Sequence, residues 1–191
     1  MPAALVTTII PVFNRARMLR DAVASVLAQD YRPIEIIIVD DGSTDETPAA
    51  VDELAREHPE VRAIHQENLG VGLAREAGRL AARGEFIQLL DSDDLILPRK
   101  FSRQVEGLLA NPALGASYGW SRTQYADGVR DPAPNKLTGQ RVETMFPAML
   151  QSRWWNTPAP LYRAELMARA GPWSDLRVEE DWEYDARIAA L

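Results

Sequence analysis

The chain has no cysteine. That excludes disulfides, thiolate metal ligands and a thiol nucleophile. Histidine is nearly as scarce, with only His58 and His65 present, so a histidine-rich metal centre is excluded and any metal would be held mainly by oxygen. No block of Lys or Arg stands out and the net charge is −7, which leaves no electrostatic footprint for nucleic acid. No apolar run approaches the roughly 18 residues that cross a bilayer. The stretch from Met1 to Pro11 lacks a basic region ahead of its short, interrupted apolar run, so it does not read as a signal peptide. The expectation is a cytoplasmic chain, compatible with peripheral attachment at the inner face of a membrane. Internal repeats and low-complexity segments are also missing.

What is there fits one soluble domain. The 191 residues, 46% hydrophobic and 26% charged, are enough for a sizeable core and ordinary in composition. The most informative stretch is Phe86-Ile87-Gln88-Leu89-Leu90-Asp91-Ser92-Asp93-Asp94. A short, mostly apolar run has the character of a buried parallel strand, and in α/β sheets ligands bind just beyond the carboxyl ends of such strands. Three carboxylates packed there repel one another unless a cation offsets them. Carboxylate oxygens suit Mg²⁺ and Mn²⁺, and Mg²⁺ is often held by one or two carboxylates together with substrate phosphates. The competing reading is an Asp-rich turn with no ligand.

The remaining pattern alternates. Leu5 to Val12, Ile34 to Val39, Val61 to His65 and the central run read as strands. Arg15 to Ala28, the segment after Ser43, Leu73 to Ala82 and Arg99 to Ala110 read as helices at the 3.6 period. Ser43 followed by Glu46 predicts a capping box for the second helix. The glycines around Asn68–Gly72 match neither a dinucleotide fingerprint nor a Lys-containing phosphate loop. This order predicts an α/β fold with a parallel sheet covered on both faces. After Pro112 the pattern changes. Gly115 to Tyr125 is expected as strand with an Asp127-Gly128 turn, 131–139 as a mobile Pro-rich loop, Val142 to Gln151 as a helix, Ala159 to Tyr162 as strand, and Ala164 to Ala170 and Glu179 to Leu191 as helices.

Three acidic groups then share one geometry. Asp40 and Asp41 follow the second strand; Asp91, Asp93 and Asp94 follow the fourth. Glu180 and Asp181 open the last helix, where the macrodipole favours anions; a structural N-terminal role alone would also account for that last pair.

The segments Thr8-Ile9-Ile10-Pro11-Val12-Phe13-Asn14, Val39-Asp40-Asp41-Gly42-Ser43-Thr44-Asp45, Gly84-Glu85-Phe86-Ile87 leading to Asp91-Ser92-Asp93-Asp94, Leu161-Tyr162-Arg163 through Gly171-Pro172-Trp173, and Glu180-Asp181-Trp182 resemble, in order and spacing, the family 2 glycosyltransferases. The resemblance implies a GT-A fold: a Rossmann-like, mainly parallel sheet flanked by helices, with a small antiparallel extension in the C-terminal half. It implies one domain over 1–191, with 1–112 the nucleotide-binding half and 113–191 the acceptor side. It further implies inverting transfer from a nucleotide-sugar, most simply a UDP-sugar, to a saccharide or other hydroxyl acceptor. Asp41 would hydrogen-bond the uracil and Phe13 would stack on it, with Pro11 and Asn14 beside them. Asp93 would lie near the ribose. Asp94, with Asp93, would hold Mn²⁺ or Mg²⁺, and Asp181 would be the general base. Asp40, Asp91, Arg75, Glu180 and Trp155 are further candidates. The sequence departs from the family at Glu76, where Asn commonly follows Ala-Arg. It also stops about ten residues after the Asp181 motif, which leaves either a truncated or a minimal enzyme expected. The rivals are a non-catalytic nucleotide-sugar-binding domain, a receiver-like signalling domain, which leaves Asp93, Asp94 and Asp181 unexplained, and a nucleotidyltransferase, which wants glycines where Asn14-Arg15-Ala16-Arg17 stands.

Overall fold

The computed structural model describes residues 3–125, 127–134, 142 and 144–191. A six-stranded sheet organises them, in the order β3-β2-β1-β4-β6-β5. The strands are β1 (Val6–Val12), β2 (Ile34–Asp41), β3 (Val61–Gln66), β4 (Phe86–Leu89), β5 (Ala116–Tyr118) and β6 (Pro160–Arg163). The first four run parallel, whereas β6 runs antiparallel to β4 and β5 antiparallel to β6. The antiparallel extension is therefore these last two strands.

The helices are α1 (Ala16–Leu27), α2 (Thr47–Glu57), α3 (Val71–Ala81), α4 (Lys100–Ala110), α5 (Ala164–Ala170) and α6 (Glu180–Ala189). Every residue of β1, β2 and β4 is buried, as expected for parallel strands covered on both faces. Strand periodicity divides their side chains between two cores. Ile36 and Ile38 join Leu19, Val23, Val51, Phe101 and Val105 under α1, α2 and α4. Ile37 and Val39 meet Ala74 of α3, and Ile87 and Leu89 meet Trp155, Tyr162, Met167, Trp173 and Tyr184 on the face of α5 and α6.

The chain steps from β1 outward through β2 to β3, then returns to place β4 on the other flank of β1. The order of strands thus reverses between β1 and β4. Loops leaving their carboxyl ends diverge to opposite faces and open a crevice there.

Two expectations for the C-terminal half and one cap are corrected. β5 has three residues, not the run to Tyr125, because its partner β6 offers only four residues from Pro160 and Trp120 beyond it is exposed; Gln124 and Arg130 form only an isolated bridge. In place of a helix over 142–151 there is one 3-10 turn, Ala148–Leu150, just past Pro147, which has no N–H to extend a helix backwards. The expected loop at 131–139 lies partly outside the described residues. The predicted capping box does not form. Ser43 Oγ instead accepts from the Asn14 amide (3.0 Å), and α2 begins at Thr47 with no side-chain cap.

Candidate active site

The crevice beyond β1 and β4 is a cleft of about 550 Å³. Phe13, Arg15, Asp41, Asp91, Asp93 and Asp181 are among its lining residues, with Pro11, Gly70, Arg75, Arg177 and Glu180. Segments as far apart in sequence as Phe13 and Asp181 thus meet in one place because all leave the same edge of the sheet or, like α6, pack against it.

At the end of β1, Phe13 is 44% exposed. Its ring faces the cleft and is not core packing. Asn14 does not line the cleft. Its Nδ2 donates to Thr44 Oγ1 (3.4 Å) and its Oδ1 accepts from the Thr44 amide (2.8 Å), so it ties the loop after β1 to the loop after β2.

Asp41, at the end of β2, is 4% exposed. Its Oδ1 accepts from Gln66 Nε2 (2.8 Å) and the Leu69 amide (2.9 Å), and its Oδ2 from the Gly70 amide (2.9 Å). One carboxylate thereby shapes the loop that forms one cleft wall, with lone-pair capacity left for a ligand. The loop also needs Gly42, whose φ is +75° and where an added Cβ would lie 2.6 Å from the Asn68 amide nitrogen. Asp40 points away from the cleft. It accepts from the Ser43 amide (3.1 Å) and pairs with His65 Nδ1 (3.0 Å).

After β4 the three acids part company. Asp91 Oδ1 accepts from Arg75 Nη2 (2.7 Å) and Asp93 Oδ2 from Arg15 Nη1 (2.6 Å). Asp94 lies outside the cleft lining, and its carboxyl is pushed up to about 6, first by burial and then by the charges of Asp91 and Asp93. Among the described residues no three acids converge as a preformed metal cage, and arginines pair with two of the three acids after β4. The donor set still fits a hard dication of the Mg²⁺ type. Asp94 bears uncompensated like-charge repulsion that a cation would relieve, and two carboxylates with phosphate oxygens make an ordinary coordination set.

Arg75 is the central strut. It is 3% exposed. It donates to Asp91 and, through Nη1, to Glu180 Oε1 (2.7 Å), with its guanidinium 5.0 Å from the Trp173 ring centroid. Burial alone would lower its pKa, but the charges of Asp91 and Glu180 hold it above the usual value. Glu180 is thus a buried partner of Arg75 at the start of α6.

Asp181 follows it with one oxygen engaged. Its Oδ2 accepts from Arg153 Nη1 and from Thr157 Oγ1 (3.0 Å). Trp155, one of the further candidates, lies inside the core. It is 1% exposed and offers no ring face to a sugar; its Nε1 donates to Asp185 Oδ2 (3.0 Å). The sequence reading overlooked Arg15, Arg153, Thr157, Arg177 and Asp185. Only Asp185 left a signal, four residues after Asp181 on the same helical face.

The sequence pattern described as Glycosyl transferase family 2 matches residues 7–168. The chain is 33% identical over 187 residues to the uncharacterized glycosyltransferase EpsJ of Bacillus subtilis, covering 93% of this chain and 54% of that protein. It is 34% identical over 123 residues to the glycosyltransferase GlyG of Streptococcus pneumoniae, covering 62% and 41%. It therefore spans about half or less of the length of these curated relatives. Among solved structures, residues 1–349 of Staphylococcus aureus TarS in complex with UDP-GlcNAc superpose with a TM-score of 0.78 at 20% identity, over 96% of this chain and 53% of that one. The mannosyltransferase PcManGT of Pyrobaculum calidifontis, in complex with GDP-Man and Mn²⁺, gives 0.70 at 23% identity, over 96% and 51%. At such identities the likeness carries the fold.

Proposed function

The chain belongs to glycosyl transferase family 2, and from that premise we propose that it moves a sugar from a UDP-sugar to an acceptor hydroxyl, with inversion and with the help of a divalent cation. The observation that carries this reading is the meeting of Phe13, Asp41, Asp93 and Asp181 around one cleft at the strand-order reversal. The UDP-GlcNAc and GDP-Man complexes of the structural neighbours support a nucleoside diphosphate sugar as donor; uridine as the base is our reading.

Phe13 stacks on the uracil. Asp41 accepts the uracil imino N–H on its remaining lone-pair capacity, with Pro11 closing the floor. Asp93 lies toward the ribose. Asp93 and Asp94 would hold Mn²⁺ or Mg²⁺, which when bound offsets charge on the departing diphosphate. Asp181 accepts the proton of the acceptor hydroxyl as that oxygen bonds to the anomeric carbon. The bond from that carbon to the diphosphate oxygen breaks, and its electron pair leaves with UDP. Attack from the face opposite the leaving group inverts the configuration. Residues 1–112 form the nucleotide-binding half and 113–191 the acceptor side of one domain, and the acceptor is a saccharide or another hydroxyl compound.

A thermal-shift panel of UDP, GDP and TDP with and without Mn²⁺, combined with turnover of Asp181→Asn, tests this. UDP with Mn²⁺ is expected to raise the melting temperature, since ligand binding to the folded state stabilises it by mass action. Asp181→Asn is expected to lower UDP release from a UDP-sugar by about 10²- to 10⁴-fold, the usual contribution of a general base, with the UDP shift unchanged. A shift with GDP or TDP alone rejects the base assignment. Binding without turnover in the unaltered chain identifies a non-catalytic nucleotide-sugar-binding domain instead.

A further inference from the structure

We propose that Arg153 is the positioning residue of the base: it fixes one oxygen of Asp181 so that the other faces the acceptor hydroxyl. This rests on Asp181 being the base. Arg153 follows the 3-10 turn, and its side chain is only 12% exposed. Every nitrogen of its guanidinium is committed. Nη1 donates to Asp181 Oδ2, Nε to Asp185 Oδ2 (2.8 Å) and Nη2 to Thr157 Oγ1 (3.3 Å). The Thr157 hydroxyl in turn donates to the same Asp181 oxygen (3.0 Å). A planar fork bonded at all three nitrogens has little freedom to rotate.

The anchor behind it is built for that task. Asp185 is 3% exposed, and its Oδ1 accepts from Tyr162 Oη (2.6 Å) while its Oδ2 accepts from Trp155 Nε1 as well as from Arg153. Those partners come from β6 and from the segment that leads into it, so the sheet itself sets where Arg153 sits. The other charged groups that share cleft walls with Asp181 include Glu179, its neighbour Glu180, which is held by Arg75, and Arg15, Asp41, Asp91, Asp93 and Arg177. Among the described residues, Oδ1 of Asp181 has no hydrogen-bond donor from the protein. The result is a carboxylate aimed by its back oxygen, with its front oxygen left to receive a proton. Misplacement of a reacting group by about 1 Å can cost on the order of 10²-fold in rate, so the aim matters.

The test compares unaltered chain, Arg153→Gln, Arg153→Lys, Thr157→Val and Asp181→Asn. Two readouts of UDP release from a panel of UDP-sugars with Mn²⁺ are used: the split between kcat and KM, and the pH profile of kcat. Arg153→Gln is expected to lower kcat by about 10- to 100-fold with KM for the UDP-sugar unchanged and with the kcat profile altered in shape, Thr157→Val by less. Arg153→Lys is expected to restore part of both. Arg153→Gln leaves Asp185 buried among neutral donors only; should it not fold, Thr157→Val carries the test through the same oxygen. A loss confined to KM, or a kcat equal to or above the unaltered chain's, overturns the proposal while Asp181→Asn, if inactive, leaves the base reading intact. If Asp181→Asn turns over normally, or the unaltered chain does not turn over at all, the base reading fails and this proposal fails with it.

Discussion

Phe13 shows how one side chain distinguishes folding from function. Folding leaves nearly half of a large apolar ring in water at the mouth of a polar cleft, and exposed apolar area of this kind is most useful to a ligand. Because nearly half of the ring already stands in water, Phe13→Ala should lower the melting temperature less than truncation of an enclosed aromatic would. Stacking of a base on an aromatic ring is worth about 1–3 kcal/mol, so UDP affinity should fall by about 5- to 150-fold. Isothermal titration with UDP and Mn²⁺ reads this directly, and an unchanged affinity would remove Phe13 from the nucleotide site. Trp155 makes the opposite case. It too is a large aromatic near the acidic helix, yet its ring is enclosed and its N–H satisfied by Asp185. Residue type alone could not separate the two, since both rings would be equally at home in either setting.

At the scale of elements, the β2 terminus carries two adjacent acids with different tasks. Strand alternation turns Asp41 toward the cleft wall and Asp40 toward β3, where His65 stands opposite it in register. The hydrogen bond that the His65 ring donates to Asp40 raises the His65 pKa above its usual 6.5, partly opposed by burial and aided by Asp52. A base whose folded-state pKa is raised contributes stability that is complete below its unfolded value and is lost as pH rises through the folded value. His65→Gln should therefore lower the melting temperature most below about pH 6.5, and the gap to the unaltered chain should close as pH rises past the raised pKa. Thermal denaturation from pH 5.5 to 9 reads the gap; a gap that widens with pH contradicts the ion pair. His65 is well exposed, so solvent screening keeps the effect modest.

Elements also differ in how plainly the sequence announces them. The runs at 6–12 and 34–41 are nearly continuous in β-branched residues and were legible as strands, as were the amphipathic helices packed over them. The cap at Ser43 was not. Its hydroxyl had a competing donor, the Asn14 amide, 29 residues away, and a local signature contains no information about such a neighbour. The same holds for β5, whose length is set by its four-residue partner and not by its own apolar content.

At the scale of the whole molecule, a single guanidinium links the two halves of the cleft. Arg75 joins Asp91 beyond β4 to Glu180 at the start of α6, 105 residues away from it in sequence. Breaking a buried ion pair by removing one partner typically costs about 3–5 kcal/mol, because the charge left behind is uncompensated. Arg75→Met, which keeps much of the side chain's length, should lower the unfolding free energy by about that amount. Chemical denaturation measures it, and a change below about 1 kcal/mol would show that the strut is dispensable. No helix among the described residues is long and apolar enough to cross a membrane.

From the sequence alone came the alternation of strands and helices, the placing of acids just past strands, and the membership those segments implied, because each depends on a few consecutive residues. Folding decided which acids face one another, that arginines pair with Asp91 and Asp93, and that one oxygen of Asp181 is held by Arg153 and Thr157. Those outcomes depend on distances between segments far apart in sequence, 105 residues in the case of Arg75 and Glu180, and such distances exist only once the strand order reverses between β1 and β4 and brings their ends together.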